Sequence, residues 1–197
     1  MLHHNFLFVF KESCYGKYKQ IYIVLSLTGS NFGHLIKFYT KEPYSHVSLA
    51  FDKELKEMYS FGRKYPNNPF IAGFVKESLD KGAFLKFKNA ECTIYSLDIT
   101  EDKYYKLKEI IENFKEESDK YSYNLLGILG VIIGYPLETK YKYFCSQFVS
   151  HVLIKSGVQL FNKPPGLTTP QDFRIYENKK VIYSGKLNEY TSYNYTI

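Results

Sequence analysis

Apolar and polar positions alternate in two rhythms along the chain. The period-two rhythm marks strands. Gln20-Ile21-Tyr22-Ile23-Val24-Leu25-Ser26-Leu27 predicts one. Pro43–Asp52 predicts a second, with Val47, Leu49 and Phe51 apolar and His46, Ser48 and Ala50 polar or small between them. Met58-Tyr59-Ser60-Phe61-Gly62 is its expected hairpin partner, turning through Asp52-Lys53-Glu54. Further strands are expected near Phe84–Phe87, Thr93–Leu97 and Val181–Ser184. The helical rhythm is clearest after Thr100, where Tyr104, Leu107, Ile110, Ile111 and Phe114 share a face and acidic residues fill the first turn. It returns at Phe144, Phe148 and Val152, widened by Val149, Leu153 and Ile154, until Gly157 stops it. Ser30 is placed to cap a short helix through Leu35, Ile36 and Tyr39. The apolar run Leu125–Gly134, ending at Pro136, predicts a buried helix or a hydrophobic loop, and it could line an apolar substrate groove. It falls short of the roughly 18 residues of a membrane span. Repeats, low-complexity tracts and linkers are lacking, so residues 1–197 are expected to form a single domain. A sheet with separate helices is the α+β class.

Composition narrows the function classes. Hydrophobic residues make up 45% and aromatics 18%, which excludes a disordered chain. The net charge is +6, carried by lysines spread along the chain; Arg63 and Arg174 are the only arginines. Specific nucleic-acid recognition uses clustered arginine forks, so no nucleic-acid partner is expected. Long-range attraction to anionic substrates or a membrane surface is compatible with the charge but secondary. Cys14, Cys92 and Cys145 are odd in number with no CxxC spacing, and the His3-His4 pair lacks matching ligands. Neither a disulfide framework, a zinc site nor any other cofactor is expected. Leu7–Phe10 is too brief for a signal peptide, which makes the cytoplasm the expected compartment.

Two segments carry chemistry. Tyr143-Phe144-Cys145-Ser146-Gln147-Phe148-Val149-Ser150 puts a cysteine in the first turn of an apolar helix. Unpaired N–H groups and the helix dipole there favour thiolate, the nucleophilic form. The alternative is a small buried core residue. A cysteine nucleophile needs an imidazole brought to it by the fold. His46, opening a strand on its less apolar side, is the candidate, against the alternative of a solvated strand histidine.

Together, S-H-V-x-L-x-F at 45–51 and F-C-S-x-F-V at 144–149 resemble the circularly permuted NlpC-type papain-like proteins, a group that includes YiiX-like hydrolases and, more distantly, lecithin:retinol acyltransferase-like enzymes. In ordinary NlpC peptidases the cysteine helix precedes the histidine strand; here His46 comes first. The resemblance spans residues 43–63 and 142–172, including the proline-rich run Pro164–Asp172. It implies a permuted papain-like fold in which an antiparallel sheet packs against the helix carrying the cysteine. It also implies a third polar residue, often His, Glu, Asn or Gln, on the strand beside the histidine strand.

A turn at Asp52-Lys53-Glu54 would set Phe51 against Leu55 and His46 against Ser60. His46, Ser48, Ala50, Ser60 and Gly62 would then share a face with room for the cysteine helix, and Glu57 would point the other way. Ser60 is therefore the expected third residue, with Glu57 behind it, although serine departs from the family pattern. The implied chemistry is hydrolysis through a thioacyl-enzyme: Cys145 attacks a carbonyl, His46 serves the thiolate and leaving group, and the Cys145 N–H faces the oxyanion. The expected substrate is a peptide, an amide or a lipid-like small molecule. Two other readings stay open, a lipid-directed acyltransferase or phospholipase and a catalytically idle binding module.

Overall fold

Long alternating runs and one even-length shift in register decide the architecture. The structure is a computed structural model that describes residues 17–27, 42–65, 68–79, 81, 84 and 90–193. Strands β1 (Tyr18–Leu27), β2 (His46–Ala50), β3 (Met58–Tyr65), β4 (Asn68–Glu77), β5 (Glu91–Thr100) and β8 (Lys180–Lys186) form one antiparallel sheet in the order β4-β3-β2-β1-β5-β8. Helices α1 (Glu101–Glu116), α2 (Leu125–Ile133), α3 (Cys145–Lys155), α4 (Pro170–Ile175) and α5 (Leu187–Tyr193) complete it. Two short strands, β6 (Ser122–Tyr123) and β7 (Lys142–Tyr143), pair in parallel at the start of α2 and of α3. The α+β class expected from the sequence is present.

The period-two pattern gives the sheet two cores. Ile21, Ile23, Leu25, Val47, Leu49, Tyr59, Phe61, Phe74, Leu97 and Ile99 cover one face. Against it lie Leu107, Ile111 and Phe114 of α1 and Phe148, Val149, Val152 and Leu153 of α3. The rings of Phe61, Phe74, Phe114 and Phe148 meet at centroid distances of 5.0–6.2 Å in tilted and edge-on pairs. Tyr22, Val24, Ala50, Met58, Cys92, Ile94, Leu187 and Tyr190 form the core on the opposite face.

Most predicted elements fall where the pattern put them. The Ser30 helix lies outside the described residues, as do Cys14, the His3-His4 pair and, beyond the helical Phe84, the strand near Phe84–Phe87. β4 was not expected: Pro69 and Gly73 interrupt its alternation, and an edge strand tolerates both. The run from Leu125 is helical, but it is not buried: Leu125, Leu126, Leu129, Ile132 and Ile133 are all exposed. Among the described residues no helix is long and apolar enough to cross a membrane.

Candidate active site

The β2–β3 hairpin sets the histidine. Its loop is two residues longer than the sequence suggested, because the Asp52 carboxylate accepts from the N–H groups of both Lys56 (2.9 Å) and Glu57 (2.7 Å). Leu55 turns through a left-handed conformation, φ 57°, and is buried. The pairs are thus Leu49–Tyr59 and Ala50–Met58, not those that set His46 against Ser60. A shift of two preserves which side chains share a face. His46, Ser48 and Ser60 therefore still face the same way, and Glu57 still points to the other side, where it pairs with Lys108 of α1.

Pairing between β2 and β3 stops at Leu49–Tyr59. Beyond it the edge of β2 at Val47 is open, and the Val47 N–H turns to the sulfur of Cys145. Here the expectation for the cysteine helix needs correction. The apolar stripe of α3 packs on the Val47–Leu49–Phe61 face, not on the face shared by His46 and Ser60. Cys145, the first residue of α3, is placed beside the histidine.

The start of β2 is held from several sides. The Ser45 N–H donates to Ser26 O at 3.2 Å, and the Tyr44 hydroxyl bonds Thr93 Oγ1 at 2.5 Å. Arg174 of α4 grips the Glu42 carboxylate with two N–H bonds of 2.7 and 3.0 Å. The start of α3 is held by buried amides: Gln147 Oε1 accepts from the Phe144 N–H and from Asn124 Nδ2, both at 3.3 Å. Ser146 Oγ donates to Thr168 O at 2.7 Å, which fastens the proline-rich run to the helix. Both partners thus sit on rigid elements.

His46 Nε2 lies 2.8 Å from Glu77 Oε1. The second carboxylate oxygen accepts from the Ser48 hydroxyl. With Nε2 engaged, Nδ1 is left for the thiol, and the two side chains are close enough to shift each other's protonation; the Cys145 thiol itself donates to Ser45 O at 4.0 Å. Burial alone would lower the imidazole, but the charge of Glu77 and the bonds to Cys145 and Glu77 raise it to about 10. Burial would likewise raise the Glu77 carboxyl, and the imidazolium together with the serine hydroxyls draws it below its ordinary value. For Cys145, burial pushes the thiol up, while the bond and charge of His46 and the N–H groups of Val47 and Ser146 pull it down further. All three shifts lean toward a thiolate–imidazolium–carboxylate chain.

Glu77 is the residue that the sequence reading missed. It lies on β4, opposite Met58 in the β3–β4 register, and reaches His46 across β3. Ser60, the expected third residue, is buried, and its Oγ has no hydrogen-bond partner of sound geometry; its hydroxyl is close enough to help lower Glu77 but does not hold His46. A turn signal was present. Pro66-Asn67-Asn68 after β3 marks a hairpin, and counting down from it puts Glu77 on the histidine side.

Tyr123 completes the site. Its phenol lies close enough to Cys145 for the two groups to shift each other's protonation. Burial first, and the negative charge of Cys145 second, hold the phenol well above its ordinary value, so it remains an O–H donor. Cys145 itself is 4% exposed. Among the described residues no cluster of three His, Cys, Asp or Glu is arranged to hold a metal. Compared with protein-family models, curated proteins and solved structures, the chain matches none.

Proposed function

We propose that this protein is a cysteine-nucleophile hydrolase of the amidase or peptidase class, built as a permuted NlpC-type papain-like domain. The observation that carries the reading is the chain Cys145–His46–Glu77: a buried thiol at a helix start, an imidazole beside it, and a carboxylate 2.8 Å from the far ring nitrogen. Structural cysteines have no need of such a partner set. The order of the elements, histidine strand before cysteine helix, supports the permuted fold.

In this mechanism the Cys145 sulfur attacks a substrate carbonyl and the carbonyl π electrons move to oxygen. The oxyanion is met by the Cys145 N–H at the helix start and by the Tyr123 hydroxyl close to it. His46 gives its Nδ1 proton to the leaving amine or alcohol as the carbon–heteroatom bond breaks. Neutral His46 then takes a proton from water, whose oxygen attacks the thioester and releases the acid and the thiolate. Glu77 fixes the ring and stabilises its charged form throughout. The test is intact-protein mass spectrometry after a thiol-directed acylating electrophile. One adduct is expected on the wild type and none on Cys145→Ala; an adduct that survives that substitution contradicts the reading.

A second reading, a lipid-directed acyltransferase or phospholipase on the same site, is favoured by one observation, the exposed aliphatic side chains of α2 next to Tyr123. The idle binding module loses its main support, the lack of a strong orienting residue, because Glu77 occupies that position.

A further inference from the structure

Helix α2 is turned inside out. A helix on a protein surface normally directs its large apolar side chains inward. In α2 the buried residues are Gly127 and Gly130, while Leu125, Leu126, Leu129, Ile132 and Ile133 are 44–68% exposed. The glycines are there for close approach. A Cβ at Gly127 would lie 2.4 Å from the Asn124 amide and 3.0 Å from the Phe144 ring, and one at Gly130 would lie 2.6 Å from Tyr135 O. The helix is therefore seated as tightly as its backbone allows, and its outward face is fixed. Tyr135, beyond its C-terminal end, is 65% exposed and extends the apolar surface.

A cleft of about 180 Å³ lies a few residues beyond this helix, lined in part by Glu138, Thr139, Lys140, Lys142 and His151. Lys142 pairs with Ser122 across β6 and β7, which brings it beside the start of α2. Lys140 stacks over the Tyr141 ring at 4.8 Å. The one carboxylate in the lining, Glu138, accepts a bond from the Gly166 N–H at 3.1 Å. An exposed aliphatic face next to exposed lysines and tyrosines matches the boundary between the acyl chains and headgroups of a bilayer.

We infer that α2 is an interfacial docking helix: Leu125, Leu126, Leu129, Ile132 and Ile133 enter the surface of an anionic lipid bilayer while Lys140 and Lys142 meet the lipid phosphates. Docking of this kind brings the surface to the helix that follows Tyr123 in the chain. It rests on shape and charge, not on thiol chemistry, so Cys145→Ala should bind vesicles as the wild type does, whatever the fate of the hydrolase reading.

The test is co-sedimentation of the full chain with mixed phosphatidylcholine–phosphatidylglycerol vesicles and with phosphatidylcholine alone. Binding is expected to the mixed vesicles and to be several-fold weaker without the anionic lipid. Leu126→Glu with Ile133→Glu should lower the bound fraction at least tenfold, since both positions are exposed and the change leaves the core intact. Lys140→Glu with Lys142→Glu should remove the preference for the anionic vesicles. No binding by the wild type overturns the proposal. So does a dimer by gel filtration that the Leu126→Glu, Ile133→Glu variant splits while vesicle binding stays unchanged, because the face would then belong to a second copy of the chain.

Discussion

Cys145 and Cys92 are equally hidden, at 4% and 1% exposed, yet their thiols are shifted in opposite directions. Cys92 lies in the core formed with Val24, Ile94 and Tyr190, where nothing favours a negative sulfur, and desolvation pushes its thiol up to about 12. Cys145 faces the same desolvation, yet the His46 charge and two backbone N–H groups carry it below its ordinary value. The difference lies in the neighbours. A dry site raises the cost of an unpaired charge, and the same dryness strengthens a paired one.

The sharpest way to break this contrast is to remove the imidazole. His46→Ala should turn Cys145 into a second Cys92, so that its alkylation near pH 6 falls by about 10²–10³-fold, since each pKa unit is tenfold in thiolate. Alkylation kinetics followed by peptide mass spectrometry check this, and unchanged labelling would mean that backbone groups alone hold the thiolate.

Glu77→Gln comes next. It keeps the shape but removes the charge that supports imidazolium, and should slow Cys145 alkylation about 10–100-fold. It should also change the pH profile of stability. Glu77, with its pKa lowered from 4.5, stabilises the fold above that value and loses the effect as pH falls through its folded pKa. His46, raised from 6.5 to about 10, contributes fully below 6.5 and loses its effect as pH rises through about 10. The gap in Tm between wild type and Glu77→Gln should thus be widest between 4.5 and 6.5 and narrow on either side. A gap that does not vary with pH would mean that the carboxylate only fills space.

Tyr123→Phe should affect turnover more than thiol reactivity. Loss of one oxyanion donor costs about 10²-fold in acyl transfer, measured with a nitrophenyl acyl ester, whereas alkylation, which forms no oxyanion, should stay within a few-fold. Equal losses in both assays would place Tyr123 with the thiolate alone.

The smallest effects are expected at the two positions that the sequence favoured. Ser60→Ala should change alkylation by no more than a few-fold, because its hydroxyl does not hold His46. Glu57→Ala breaks a half-exposed pair with Lys108, worth about 0–1 kcal/mol, and should leave the thiol untouched. A larger loss from Ser60→Ala than from Glu77→Gln would reverse the assignment.

Those two positions show where sequence reading stops. Cys145 and His46 were legible because each belongs to a strong periodic element, and periodicity fixes which way a side chain faces. The third residue depended on a strand pairing, and pairing depended on the length of one loop. Asp52 lengthened that loop by bonding two N–H groups ahead of it, a local choice that alternation does not record. Because the slip was by two residues, the shared face of His46 and Ser60 survived while their pairing did not. Glu77 was hidden because Pro69 and Gly73 broke the alternation of its strand. The exposure of α2 was unreadable for a different reason: an apolar run predicts burial, and only the tertiary seating of Gly127 and Gly130 turns its leucines outward.

The most direct measurement is the titration of the Cys145 thiolate by its ultraviolet absorbance, taken as the difference between wild type and Cys145→Ala. With His46 raised to about 10 and Cys145 lowered from 9, the difference signal should already be present at neutral pH and persist into mildly acidic solution. It should vanish from neutral solution in His46→Ala. A signal that rises only near or above 9 in the wild type, as for an unpaired thiol, would contradict the account.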